Sequence, residues 1–330
     1  LTGLALTGAN AASTTIGDAS IKTGNATSTA NVINISNTNA VGGGLTIIPV
    51  NAASSTAAID LRPELATSTG AFAEDYGFPE NATTTLIVDN DNRATTTNTV
   101  TLVSETGGND AASSCGDATI TTGNAAVAAN VVNIMNTNFV GSELIIVTVN
   151  QLGDWRDDLV LPGKAFFERF FAVPTSSNGE PVYLPHQLDM TTTNRATVAN
   201  DVSVRALSGG NDAASAGGTT AITTGRAMAS ANIQNRVNQN YLGTAPTFSL
   251  LVNVAGRWTG SVFSSPPGST WAYADGRLEV TNRGNGIELG GAVTASDPGT
   301  AENSLPYPDR LSTSSTNEAL LTNAIEVVAS

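Results

Sequence analysis

Gly17-Asp18-Ala19-Ser20-Ile21, Thr23-Gly24-Asn25-Ala26 and Ala30-Asn31-Val32 follow one another near the start of the chain, and the same order returns twice. It comes back as Gly116-Asp117-Ala118-Thr119-Ile120, Thr122-Gly123-Asn124-Ala125 and Ala129-Asn130-Val131. The third copy reads Gly218-Thr219-Thr220-Ala221-Ile222, Thr224-Gly225-Arg226-Ala227 and Ala231-Asn232-Ile233. Asn10, Asn109 and Asn211 introduce the three copies, at offsets of 99 and then 102 residues. Self-similarity at a fixed period marks a repeat architecture, so this period organises the chain before any single element is assigned.

Each copy continues with an asparagine series: Asn31, Asn34, Asn37 and Asn39, then Asn130, Asn133, Asn136 and Asn138, then Asn232, Asn235, Asn238 and Asn240. A β-branched apolar run follows, from Thr46 to Val50, Leu144 to Val149 and Phe248 to Val252, closed by Asn51, Asn150 and Asn253. Trp155 and Trp258 stand five residues beyond, where the first copy has Thr56. The triplets Asn92-Arg93-Ala94 and Asn194-Arg195-Ala196 introduce the next copies, and Asn282-Arg283-Gly284 opens a further one. The units are therefore placed at 1–91, 92–193 and 194–303, with 304–330 as a linker and terminal strand.

Val, Ile and Thr dominate the periodic segments and helix formers are scarce, so the fold is expected to be all-β. The three repeats form either sandwich-like domains in tandem or one continuous β-solenoid. Thr-Gly-Asn-Ala reads as a tight turn, because Gly and Asn both tolerate positive φ. Ala26, Ser28, Ala30 and Val32 then share one strand face, a row of small residues that calls for a closely packed neighbouring sheet. The opposite face varies (Thr27, Ala126, Met228), as solvent or inter-domain positions would. Asparagines three apart break the period of two and imply a bulge, a corner or a solenoid turn. The one stretch with helical composition is Lys164 to Phe171.

Composition excludes several functions. Of 330 residues 13% are charged, and 28 acidic against 14 basic side chains leave a net charge of -14, so the chain cannot follow a phosphate backbone. One cysteine, Cys115, and one histidine, His186, rule out a disulfide, a thiolate zinc cluster and a multi-histidine metal site. His186 beside Asp189 in a Pro-containing loop reads as inert, and no Gly-x-Ser-x-Gly elbow occurs. No apolar run is long enough for a membrane helix. The chain opens on Leu1 without a basic stretch, which reads as a mature product after signal-peptide removal, and the lysine-poor Thr/Ser/Asn surface fits an extracellular or cell-surface setting.

The asparagine series is read as a buried column of satisfied amides, with a carbohydrate or ion site as the rival. Asp18 and Asp117 in the repeated turn, and Asp89 and Asp91, are weak Ca²⁺ candidates, and turn capping is the favoured role of the first two. Catalytic residues and cofactors are not assigned. The variable segments 61–80, 154–185 and 263–277 could present aromatic residues to surface glycans. The pattern Gly-Asp-Ala-(Ser/Thr)-Ile-x-Thr-Gly-Asn-Ala, followed by Ala-Asn-Val-x-Asn-x-x-Asn-Thr-Asn, resembles the Thr/Asn/Gly-rich repeats of large secreted bacterial surface proteins. The resemblance covers about forty residues per unit and implies a filament, tube or surface-layer subunit.

The last stretch, Thr322 to Ser330, resembles the strand that opens each unit, Thr97 to Ser104. It is expected either to be donated to a neighbouring copy or to fold back onto unit three. Strand donation would bury Ile325, Val327 and Val328 against Leu1, Leu4 and Leu6 of the next molecule and build a head-to-tail homopolymer. An adhesin is the second reading, and a polysaccharide-degrading enzyme on a β-solenoid the third.

Overall fold

The computed structural model describes residues 1–41, 44–52, 57–63, 65, 85–140, 143–163, 166, 187–242, 247–255, 258–263, 270–274, 277–283 and 310–330. The first coil comprises β1 (Thr2–Leu6), β2 (Ala11–Thr14), β3 (Ala19–Lys22), β4 (Ala26–Val41), β5 (Gly44–Ala52) and β6 (Ile59–Asp60). The second repeats them as β7 (Thr85–Glu105), β8 (Asp110–Ser113), β9 (Ala118–Thr121), β10 (Ala125–Val140), β11 (Glu143–Leu152) and β12 (Leu159–Val160). The third is β13 (Gln187–Leu207), β14 (Asp212–Ser215), β15 (Thr220–Thr223), β16 (Ala227–Val237), β17 (Asn240–Leu242), β18 (Thr247–Ala255) and β19 (Val262–Phe263). Then come β20 (Thr270–Ala274), β21 (Arg277–Arg283) and β22 (Arg310–Ala329). The candidate helix at Lys164 to Phe171 lies, apart from Phe166, outside the described residues, as does His186.

Every sheet takes one strand from each coil. The orders are β1-β7-β13-β22, then β4-β10-β16 with β17 continuing the last row, then β5-β11-β18. Three smaller sheets stack in the same way: β2-β8-β14, β3-β9-β15 and β6-β12-β19. Pairing is parallel and keeps the repeat register: Asn133 stands opposite both Asn34 and Asn235. The repeats are thus successive coils of one continuous parallel β-solenoid, not separate sandwiches. Among the described residues the only antiparallel pairings are β21 with β18 and β21 with β20.

Within a coil the chain folds into three layers. Val100, Leu102, Val202 and Val204 of the first sheet meet Ala125, Val127, Ala129 and Val131 of the second. The other face of the second sheet packs Val132, Ile134 and Phe139 against Leu144 and Ile146 of the third. Of the positions on this second face expected to meet solvent or another domain, Thr27 is exposed, whereas Ala126 and Ala128 lie under Leu152, with Met228 beside them. Beyond the third sheet, Val147, Val149, Leu250 and Val252 close on Trp155, Leu159 and Leu161. Trp155 and Trp258 stack at 4.8 Å between ring centroids, one coil above the other.

The three-residue asparagine spacing has a local cause. Asn37, Asn136 and Asn238 adopt φ of 52°, 52° and 56°, the left-handed region that Asn tolerates better than other side-chain-bearing residues. Each interrupts the strand period, so that Asn34 and Asn39, on either side of it, both reach the first sheet. A glycine row fixes the spacing at the end of the first sheet. A Cβ on Gly8 would land on the carbonyl oxygen of Gly107, and one on Gly107 on that of Gly209.

Candidate functional site

The asparagines form hydrogen-bonded columns along the stacking axis. Asn34 Nδ2 donates to Asn133 Oδ1 at 2.7 Å, and Asn133 Nδ2 donates to Asn235 Oδ1 at 2.7 Å. The same step runs Asn37–Asn136–Asn238 and Asn39–Asn138–Asn240. In the first sheet it runs Asn92–Asn194–Asn317 and Asn98–Asn200–Asn323, and at the turn Asn10–Asn109–Asn211. Cross-links tie the sheets together: Asn34 and Asn98 bond at 2.8 Å, and Asn136 Nδ2 donates to Arg195 O at 2.9 Å. Asn133, Asn136, Asn194 and Asn200 are buried, and a buried amide left unpaired costs about 1–3 kcal/mol, which these columns avoid.

All six columns share one polarity: the amide N–H of each coil points to the amide oxygen of the next. The Asn51–Asn150–Asn253 column runs the other way, as does the Asn130 to Asn31 bond. In that last row Asn130 Oδ1 and Asn232 Oδ1 are buried without a partner.

Asp18 and Asp117 serve the same stack. Asp18 Oδ1 accepts from the Asp117 amide at 2.9 Å, and Asp117 Oδ1 accepts from the Thr219 amide at 2.8 Å. The Thr219 N–H holds the Asp117 carboxyl below the usual carboxylate range. Asn25 and Asn124 repeat the arrangement, receiving the amides of Asn124 and Arg226. Both rows end in the third coil, where Thr219 and Arg226 replace the acceptors. Asp89 and Asp91 lie exposed on the outer side of β7, alternating with the inward Asn90 and Asn92. Among the described residues no three acidic, His or Cys side chains gather as a metal site would require.

The terminal strand is placed within its own chain. β22 pairs in parallel with β13 along its whole length, from Arg310 opposite Gln187 to Ala329 opposite Ala206. Ile325 and Val327 align with Val202 and Val204, which are fully buried, yet they remain 53% and 47% exposed, with no described strand of the second sheet beside them. Val328 belongs to the outer face. At the opposite end Leu4 and Leu6 align with Val103 and Glu105, also on the outer face, and Gly3 takes the inward position beside Leu102. Leu1 anchors β1, its ammonium donating to Thr99 O at 2.7 Å.

Sequence reasoning missed a groove of about 490 Å³ at the turn corner. The stacked Asn25, Asn124 and Arg226 line it together with Asp154 and Arg156, and Arg226 is ion-paired with Asp154. Its signal was the substitution of Arg226 into an asparagine row. Cys115 is exposed at a turn, and no helix among the described residues is long and apolar enough to cross a membrane. Comparison with protein-family models, with curated proteins and with solved structures finds no match.

Proposed function

We propose that the chain is an extracellular structural protein that self-assembles end to end into a filament, tube or surface layer. One observation carries this reading: the distribution of exposed large apolar side chains. Leu1, Leu4, Leu6, Ile16, Ile33 and Ile35 belong to the first coil, Ile222 and Phe263 to the third, and Leu320, Leu321, Ile325 and Val327 to β22. The remaining one, Ile87, lies on the part of β7 that β1 leaves uncovered. Among the described residues, no stretch of strand that is paired on both edges contributes one. Exposed apolar rows beside unpaired strand edges favour pairing with another chain. Coils that stack each on the next also suit growth by addition of further coils at the ends.

The test is microscopy of the purified chain at rising concentration, together with sedimentation. Linear assemblies whose width matches one coil are expected, and particles that stay monomeric at every concentration contradict the reading. The groove at Asn25, Asn124 and Arg226 favours a second reading, a glycan-binding surface protein. Saturable binding on a glycan array, lost in Arg156→Ala, is the result that would support it.

A further inference from the structure

We infer that the two end faces are a matched donor and acceptor pair, so that a second copy of this chain docks only head to tail. The inference rests on the self-assembly proposed above and adds its direction and contacts. The six asparagine columns point their N–H groups toward the face formed by the third coil and β22. There Asn317 and Asn323 accept from Asn194 and Asn200 but donate to nothing among the described residues. On the opposite face no described donor reaches the side-chain oxygens of Asn10, Asn34, Asn37 or Asn39, whose nitrogens are already engaged. Two donor faces or two acceptor faces cannot satisfy one another; a donor face against an acceptor face continues every column.

The shapes agree with the chemistry. β22 stands one row beyond β16, and over residues 85–98 β7 lies one row behind β4, with no strand among the described residues on its outer edge. Stacking a second copy one coil further on therefore places β22 of the first copy along β7 of the second. The in-chain register, in which Gln187 faces both Arg310 and Thr85, sets Asn317 opposite Asn92 and Asn323 opposite Asn98. Asn200 Oδ1 already takes such a pair of bonds inside the chain, from Asn98 at 2.7 Å and Asn133 at 3.1 Å. β4 of the second copy would then cover Leu321, Ile325 and Val327.

Two elements stand in the path. The antiparallel pair β20–β21 holds the edge of β18 where β5 of the incoming copy would pair, and β1 of that copy falls in the row of residues 326–330. Docking displaces the first and one of the second two, so the pair β20–β21 acts as a cap on growth.

Two glycines give a test that leaves the single molecule alone. A Cβ on Gly209 or on Gly24 meets nothing within 4 Å. In the interior of the stack, the equivalent Cβ on Gly107 would strike the Gly209 carbonyl, and that on Gly225 the Gly123 carbonyl. Gly209→Ala thus spoils only the donor face and Gly24→Ala only the acceptor face. Each variant alone is expected to keep the wild-type melting temperature and to lose assembly, read by analytical ultracentrifugation. An equimolar mixture should form a heterodimer that grows no further, because each partner brings one intact face. Asn323→Asp, which keeps the inward acceptor and removes the outward N–H, is expected to weaken assembly with an unchanged melting temperature, and Val280→Pro, which breaks the pairing of β21, to strengthen it. Wild type and Val280→Pro both remaining monomeric would overturn the self-assembly reading itself. Assembly that persists in Gly209→Ala and Gly24→Ala, or a mixture without heterodimers, would overturn only the head-to-tail inference.

Discussion

β10 and β16 carry the same motif, Ala-x-x-x-Ala-Asn followed by β-branched residues and asparagines, yet their surroundings differ. All sixteen residues of β10 are buried, whereas in β16 only Ser230 and Asn232 are. β10 has a strand on each edge and a sheet on each face; among the described residues β16 has no strand on its outer edge. Burial in this molecule is conferred by the neighbouring coil rather than by a strand's own sequence. Stability of such a stack is approximately a sum of interface terms, so one substitution made in the middle coil and in an outer coil separates interface from intrinsic effects.

The largest contrast is expected in the glycine row. Gly107→Ala drives a methyl group into the Gly209 carbonyl and should cost about 3 kcal/mol or more, while Gly209→Ala has open space and should be near neutral in the monomer. Urea unfolding of the two variants checks this, and equal losses would break the comparison. Next comes Asn133→Ala, which removes one hydrogen bond from each of Asn34, Asn98, Asn200 and Asn235 and should cost about 2–3 kcal/mol. Asn235→Ala removes an outer member of the same column and should cost about half of that. Smaller again is the pair Val204→Ala, about 2 kcal/mol from a fully buried site, and Val327→Ala, a fraction of that from a half-exposed one.

The smallest effect is electrostatic. The Asp117 carboxyl is held below its ordinary range by the Thr219 amide. A group with a depressed folded pKa contributes stability above its unfolded value and loses it as pH falls through the folded value. A slight acid destabilisation is therefore expected between the second and third coils. Asp117→Asn, which keeps an acceptor as Asn124 does one turn on, should flatten it in a melting series from neutral to acid pH.

Part of this was legible in the sequence. The offsets of 99 and 102 residues reappear as hydrogen bonds between Asn34 and Asn133 and between Asn133 and Asn235. The broken period at Asn37, Asn136 and Asn238 marked a backbone irregularity, and the small row from Ala26 to Val32 marked the close sheet contact. The choice between domains and coils was hidden, because a tandem repeat reads the same whether its copies pack side by side or one on another. The third layer was hidden too. By their variability Ala126 and Met228 read as solvent or inter-domain positions, whereas they pack with Leu152 of the same stack. The polarity of the columns depends on which amide atom faces which neighbour, and residue identity carries no trace of it.

Amide hydrogen exchange on the chain, measured once at a concentration where it is monomeric and once after assembly, tests most directly whether neighbours confer order here. The amides of β10 should be protected in both states, and those along the outer edge of β22 should exchange fast in the monomer and slowly in the assembly. Full protection of the β22 edge in the monomer, or β10 exchanging as fast as β16, would contradict it.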